Sequence, residues 1–159
     1  MSRNPHRLPS SRVLKAYRRL GGTRNQGSLS SAVRTVSAAM QSGITMPRSA
    51  VLDLAYAVLD AEVDIDCQIR VAAAKALVAF DEREIARAAT RAIRDPTSPL
   101  EVVTAAATIF LGSPRRQLSP RDSACLLGKV RRFGQIRGPM VDLLYSSRFS
   151  GSMTRRAKQ

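Results

Sequence analysis

A chain of 159 residues, 44% hydrophobic and 24% charged, is about the length of one domain and long enough to bury one core. Aromatics make up only 4% and tryptophan is absent, while Ala, Leu and Val dominate, which favours helices over strands. No run approaches the ~18 apolar residues of a membrane span, no secretory hydrophobic segment follows Met1, and the net charge of +14 points to a polyanionic partner.

The punctuation divides the chain into short helices. Ser10 or Ser11 suits the cap of a first helix ending at Gly21-Gly22, with Val13, Leu14, Tyr17 and Leu20 as its apolar stripe. Ser28 opens a second helix to about Gln41, carrying Leu29, Ala32, Val33, Val36, Ala39 and Met40 on one face and Gly43 as its stop. Pro47 suits the first turn of a third, with Val51, Leu54, Ala55, Val58 and Leu59 as its apolar face. Asp64 or Asp66 caps a fourth through Phe80, with Ile69, Ala72, Ala73, Ala76 and Leu77 at core spacing.

Asp81 begins a fifth helix, and Glu84 three residues on completes a capping box. Asp95-Pro96-Thr97-Ser98-Pro99 breaks the chain. There Ser98, Pro99 and Glu101 supply cap, first-turn proline and box for a sixth helix ending at Leu111, before Gly112. Ser119, Pro120 and Asp122 repeat the device for a seventh reaching Phe133, and an eighth spans about 139–147. The expected fold is all-α: an antiparallel array of about eight short helices. It forms a single helical domain over 10–147, between a basic N-terminal arm (1–9) and a basic C-terminal tail (148–159).

Charge is unevenly placed. Residues 1–50 hold nine Lys/Arg and no acid, residues 51–100 six Lys/Arg and nine acids, and residues 101–159 eleven Lys/Arg and three acids. Two positive flanks thus enclose a mildly acidic middle. Arginine outnumbers lysine 22 to 4, and guanidinium holds phosphate bidentately where ammonium is a point charge. The nucleic-acid-binding candidates are therefore Arg12, Lys15, Arg18, Arg19, Arg24 and Arg34 in the first flank. In the second they are Arg115, Arg116, Lys129, Arg131, Arg132, Arg137, Arg155 and Arg156. Aromatics for base stacking are few, so a backbone-directed mode is expected. The acid-free first 25 residues also have the character of an organelle transit peptide; the expectation adopted is a retained binding arm in an intracellular protein, in host cytoplasm if viral.

Catalytic and metal chemistry finds little purchase. The sole histidine, His6, lies far from Cys67 and Cys125, which suit two buried reduced thiols. No phosphate-binding glycine loop occurs. Asp60, Glu62, Asp64 and Asp66 alternate as cation ligands would, yet helix capping explains them better. No enzyme activity, cofactor or metal is expected. A helix-turn-helix is not assigned to residues 11–42, because the stretch from Gly21 to Gly27 exceeds the tight turn of that motif.

Val71-Ala72-Ala73-Ala74 recurs as Thr104-Ala105-Ala106-Ala107, with Glu62 and Asp95 in the preceding turns. Over about residues 50–112 this resembles HEAT-like helical repeats, which implies a turn aspartate, an arginine early in the second helix and stacked helix pairs. Arg70 fits that pattern; Val103 departs from it. The order of parts, from basic arm through Ile44-Thr45-Met46-Pro47-Arg48 to Ile69-Arg70-Val71-Ala72-Ala73-Ala74, resembles small helical bacteriophage proteins of the terminase small subunit type. That resemblance implies DNA recognition in packaging. The alternatives are a ribonucleoprotein (ribosome-associated) subunit and a HEAT-like scaffold for an acidic protein, with protein contacts or homo-oligomerisation through the central helices and no membrane partner.

Overall fold

The computed structural model describes residues 9–22, 26–113 and 116–132. Among them are seven helices and no strand: α1 (Ser11–Gly22), α2 (Gln26–Gln41), α3 (Arg48–Leu59), α4 (Cys67–Leu77), α5 (Arg83–Arg94), α6 (Leu100–Leu111) and α7 (Pro120–Arg132). The expected helix over 139–147, residues 1–8 of the arm and the tail lie outside the described residues.

Local chemistry accounts for most boundaries. The Ser10 hydroxyl accepts from Val13 N at 3.4 Å, starting α1. Helix α2 begins two residues earlier than Ser28 and buries the expected Leu29, Ala32, Val33, Val36, Ala39 and Met40. It closes in a Schellman turn: Gly43 (φ 78°) donates to Met40 O and Ile44 to Ala39 O, both at 3.1 Å. Pro47 sits one position before α3, where its carbonyl accepts from Ala50 and Val51. Asp66 caps α4, its Oδ1 accepting from Gln68 N (2.9 Å) and Ile69 N (3.4 Å). Ser119 Oγ accepts from Asp122 N at 3.1 Å and donates to Asp122 Oδ2 at 2.7 Å, the expected start of α7.

Three local expectations fail, each because another contact wins. Helix α4 stops at Leu77, where Val78 and Phe80 tighten into bonds to Lys75 O and Leu77 O. Helix α5 starts at Arg83 with no side-chain cap, because Glu82 and Glu84 are both held by Arg48: Nε to Glu82 at 3.1 and 3.2 Å, Nη2 to Glu84 at 2.5 Å. Pro99 rather than Ser98 precedes α6, and Ser98 is buried without capping it. The turn is set instead by Asp95, whose Oδ1 accepts from Thr97 N (2.8 Å) and Thr97 Oγ1 (2.7 Å). Both cysteines are free, but Cys67 is exposed because it opens α4, and Cys125 is half-buried.

The helices form two layers. Odd-numbered helices touch in series, α1 to α3 to α5 to α7, and even-numbered ones α2 to α4 to α6. Successive helices α1 and α2, α3 and α4, and α5 and α6 connect the layers. The core lies between them, with Leu54, Leu77, Ile85, Ile93 and Ile109 fully buried. Close approach of α4 to α6 rests on small side chains, since Ala73, Ala74, Ala105, Ala106 and Ala107 are all fully buried. Gly112 extends that approach: a Cβ there would lie 2.7 Å from Val78 Cγ2 and 2.9 Å from Thr108 O.

Cations close the helix C-termini, where carbonyls lack intrahelical partners. Arg70, buried at 2% exposure, donates from Nη1 to Val58 O (2.5 Å) and Asp60 O (3.1 Å), and from Nη2 to Val63 O (2.6 Å). The following unit has Val103 where the HEAT-like pattern wants an arginine. Its α5–α6 turn is closed from α7 instead: Lys129 Nζ donates to Asp95 O and, at 3.4 Å, to Ala92 O, and Arg132 Nη1 reaches Pro96 O at 3.1 Å. Arg116 likewise ties Phe80 O, beyond α4, to Ile109 O in α6.

Replacing Arg70 by Ala leaves three carbonyls unpaired, so the unfolding free energy should fall by about 3 kcal/mol or more in urea titrations. Arg70→Lys should recover only part of it, since one ammonium cannot span the fork. Gly112→Ala should cost about 1–3 kcal/mol in the same assay, through the clash with Val78 rather than through backbone strain.

Candidate nucleic-acid interface

The cations of the described residues fall into two groups. The first serves the fold. Arg70, Arg116, Lys129 and Arg132 donate to backbone carbonyls, as above. Arg48 holds Glu82 and Glu84, and Arg94 grips Asp122 through Nε (2.6 Å) and Nη2 (3.3 Å). Asp122 is buried while Arg94 is half exposed, so the pair joins α5 to α7 at the edge of the core. The Arg94 guanidinium holds the Asp122 carboxyl below the usual aspartate range, with the Ser119 hydroxyl helping and burial opposing. Burial pushes Arg70, Arg116 and Lys129 below their ordinary values.

The second group has no hydrogen-bond or ion-pair partner among the described residues. It comprises Arg12, Lys15 and Arg18 on α1, Arg34 on α2, Lys75 on α4, Arg83, Arg87 and Arg91 on α5, and Arg121 and Arg131 on α7, all exposed. Arg12 and Lys15 line a cleft of about 270 Å³ between α1 and α2, where Ser11, Ser31 and Thr35 add hydroxyls and no acid is found among the described residues. Thr35 Oγ1 is already engaged, donating to Ser31 O at 2.9 Å.

Of the fourteen sequence candidates, the structure therefore leaves Arg12, Lys15, Arg18, Arg34 and Arg131 exposed and unpaired among the described residues. It turns Arg116, Lys129 and Arg132 towards carbonyls, with Lys129 buried. Arg19 belongs to α1, but its side chain lies outside the described residues, as do Arg24, Arg115, Arg137, Arg155 and Arg156.

The segment reading missed Arg83, Arg87, Arg91, Arg121 and Lys75. The first three recur every fourth residue, opposite buried Ile85, Ala89 and Ile93, a pattern legible from spacing alone. A regional charge sum hid them. The cluster Asp60, Glu62, Asp64 and Asp66 is a turn: Asp60 Oδ1 accepts from Glu62 N at 2.9 Å, and Asp66 caps α4. Among the described residues no group of three or more His, Cys, Asp or Glu is placed to hold a metal, and no helix is long and apolar enough to cross a membrane. With α1 ending at Gly22 and α2 beginning at Gln26, the intervening segment is three residues, so its length no longer separates this pair from a helix-turn-helix.

Comparison with family models, with curated proteins and with solved structures found no match, and so lends no support to either the HEAT-like or the terminase-like resemblance.

The Asp122–Arg94 pair sets a pH dependence. A carboxyl depressed in the folded state contributes stability that is complete above the ordinary value of 3.8 and lost as pH falls below it, through the folded value. Asp122→Asn should therefore lower the urea midpoint at pH 7. The gap to the unsubstituted protein should narrow as pH falls below 4, and a gap constant from pH 7 to pH 3 would remove the pair from the balance.

Proposed function

We propose that this chain is a non-enzymatic nucleic-acid-binding protein that contacts phosphates through its arginine-rich surface. One observation carries the reading: ten exposed Lys/Arg side chains have no partner among the described residues of a chain with net charge +14. Like charges held on a rigid surface repel, and a polyanion relieves that repulsion while releasing its counterions. The cleft between α1 and α2, with two cations and the hydroxyls of Ser11 and Ser31, has the donors a phosphate group needs. Recognition of phage DNA during packaging is the most specific form of the reading, and a ribonucleoprotein subunit is the form in which RNA replaces DNA.

A second reading rests on the layering. Odd helices stacked on odd and even on even support a HEAT-like scaffold, whose basic surface would meet an acidic protein. Co-purification of a protein that survives nuclease treatment would favour it.

Affinity for random duplex DNA should fall steeply between about 50 and 200 mM salt, as counterion release requires; a flat dependence would exclude phosphate contacts. Joint replacement of Arg12, Lys15 and Arg18 by Glu should weaken binding on the order of tenfold or more, for all sequences alike. The fold should survive, because these side chains are exposed and make no contact that the core uses. Unchanged affinity would take α1 out of the interface.

A further inference from the structure

The fold sorts charge by layer. Odd helices carry thirteen Lys/Arg, four each on α1, α5 and α7 and one on α3, with three acids. Even helices carry three Lys/Arg and one acid. Since α1, α3, α5 and α7 touch in series, their outer faces make one continuous surface. Two of the three acids on it are already held: Glu84 by Arg48 and Asp122 by Arg94. The third, Asp53, is half-buried on α3.

What these pairings leave uncompensated is central. Arg83, Arg87 and Arg91 stand at four-residue intervals on one face of α5, the third helix of four in the layer. They span about 12 Å of helix axis, over which one DNA strand presents roughly three to four phosphates. Beside them α7 exposes Arg121 and Arg131 with Ala124 and Gly128 between, small enough for a backbone to come close. On the other side α3 exposes Tyr56, the one largely exposed aromatic among the described residues.

We infer that duplex DNA lies across the odd-helix layer, with Arg83, Arg87 and Arg91 of α5 as its central phosphate contacts. This rests on the nucleic-acid-binding reading and changes its geography: α1 and α7 supply the margins, and α5, from the segment with net negative charge, supplies the middle. Single strands want a row of stacking aromatics, for which this surface offers Tyr56 alone among the described residues. RNA recognition draws on unstacked bases and 2′-hydroxyls, whereas a row of duplex phosphates asks only for cations. Arg34 and Lys75, on the even layer, lie off the path.

The test measures binding of the full chain to a 30-base-pair random duplex DNA across a salt series, with a duplex RNA of equal length in parallel. The R83Q/R87Q/R91Q protein should bind on the order of ten- to a hundredfold more weakly, and the slope of log K against log salt should shrink by about 0.9 per contact removed. R34Q/K75Q, which removes two cations away from this path, should weaken binding far less than the α5 variant and leave most of the salt slope in place. Should the triple variant unfold, R87Q alone, with an expected loss of about 0.9 in slope, decides the same question. Absence of salt-dependent binding by the unsubstituted protein would overturn the nucleic-acid reading itself. Normal DNA binding by the α5 variant, or equal losses in both variants, would overturn the layer assignment alone. Tighter binding to the RNA, or displacement of DNA by polyglutamate at equal charge, would overturn duplex DNA as the occupant.

Discussion

Short helices end often, and each end presents carbonyls that the helix cannot pair. In this fold α2 closes on Gly43, but the turns after α3 and α5 are closed by long cations. Arg70 gathers Val58 O, Asp60 O and Val63 O at the α3–α4 turn, and Lys129 with Arg132 gathers Ala92 O, Asp95 O and Pro96 O at the α5–α6 turn. The cation also meets the negative end of the helix dipole, so charge and hydrogen bonding favour the same position. The two turns need the same service and receive it from different places. The first cation comes from the helix that follows its turn, the second from the helix after that. Val103 is fully buried on α6, a helix that packs against both α4 and α5, and an arginine there would crowd the close approach that the alanines allow. Moving the cation to α7 resolves that conflict and ties α7 to α5 as well.

The same chemistry decides which charges remain for a ligand. A guanidinium that reaches a carbonyl or a carboxylate inside the fold is fixed there, since its removal would leave the acceptor dry. Arg48 with Glu82 and Glu84, and Arg94 with Asp122, use up carboxylates that would otherwise neutralise the α5 stripe. Structural pairing thus produces the free surface charge rather than competing with it.

Much of the architecture was legible because its signals are local. The stripe of α2 repeats at three- and four-residue steps, and the Gly43 stop, the α4 cap (Asp66, of the two aspartates read) and the Ser119–Asp122 start of α7 each involve residues within five positions of one another. The expectations that failed depend on residues far apart in sequence. The capping box at Asp81–Glu84 is locally sound, yet Arg48 sits 34 and 36 residues away and holds both glutamates. Lys129 reads as a surface cation within its own helix, and only the packing of α7 on α5 brings it to Asp95 O, 34 residues distant. Two basic flanks are legible in composition, but position along the chain and position on the folded surface are different things.

The reason is geometric. Seven of the nine acids in residues 51–100 lie outside helices, in the turns at 60–66, 81–82 and 95, where Asp66 caps α4, Asp60 and Asp95 pair with turn donors and Glu82 pairs with Arg48. Four of the five arginines of the same segment lie along α5. A sum over sequence adds charges that the fold holds apart, because capping draws acids to helix ends and amphipathicity draws arginines to helix flanks. For screened charges the relevant distance is about 8–10 Å, shorter than a twelve-residue helix of about 18 Å. A charge over the middle of α5 lies about 9 Å from either end of the helix, so the arginines beside it act at shorter range than the acids in the turns. Charge in a helical array is better summed along one face of each helix than along the chain. Summed so, the acidic middle of this protein becomes its basic centre.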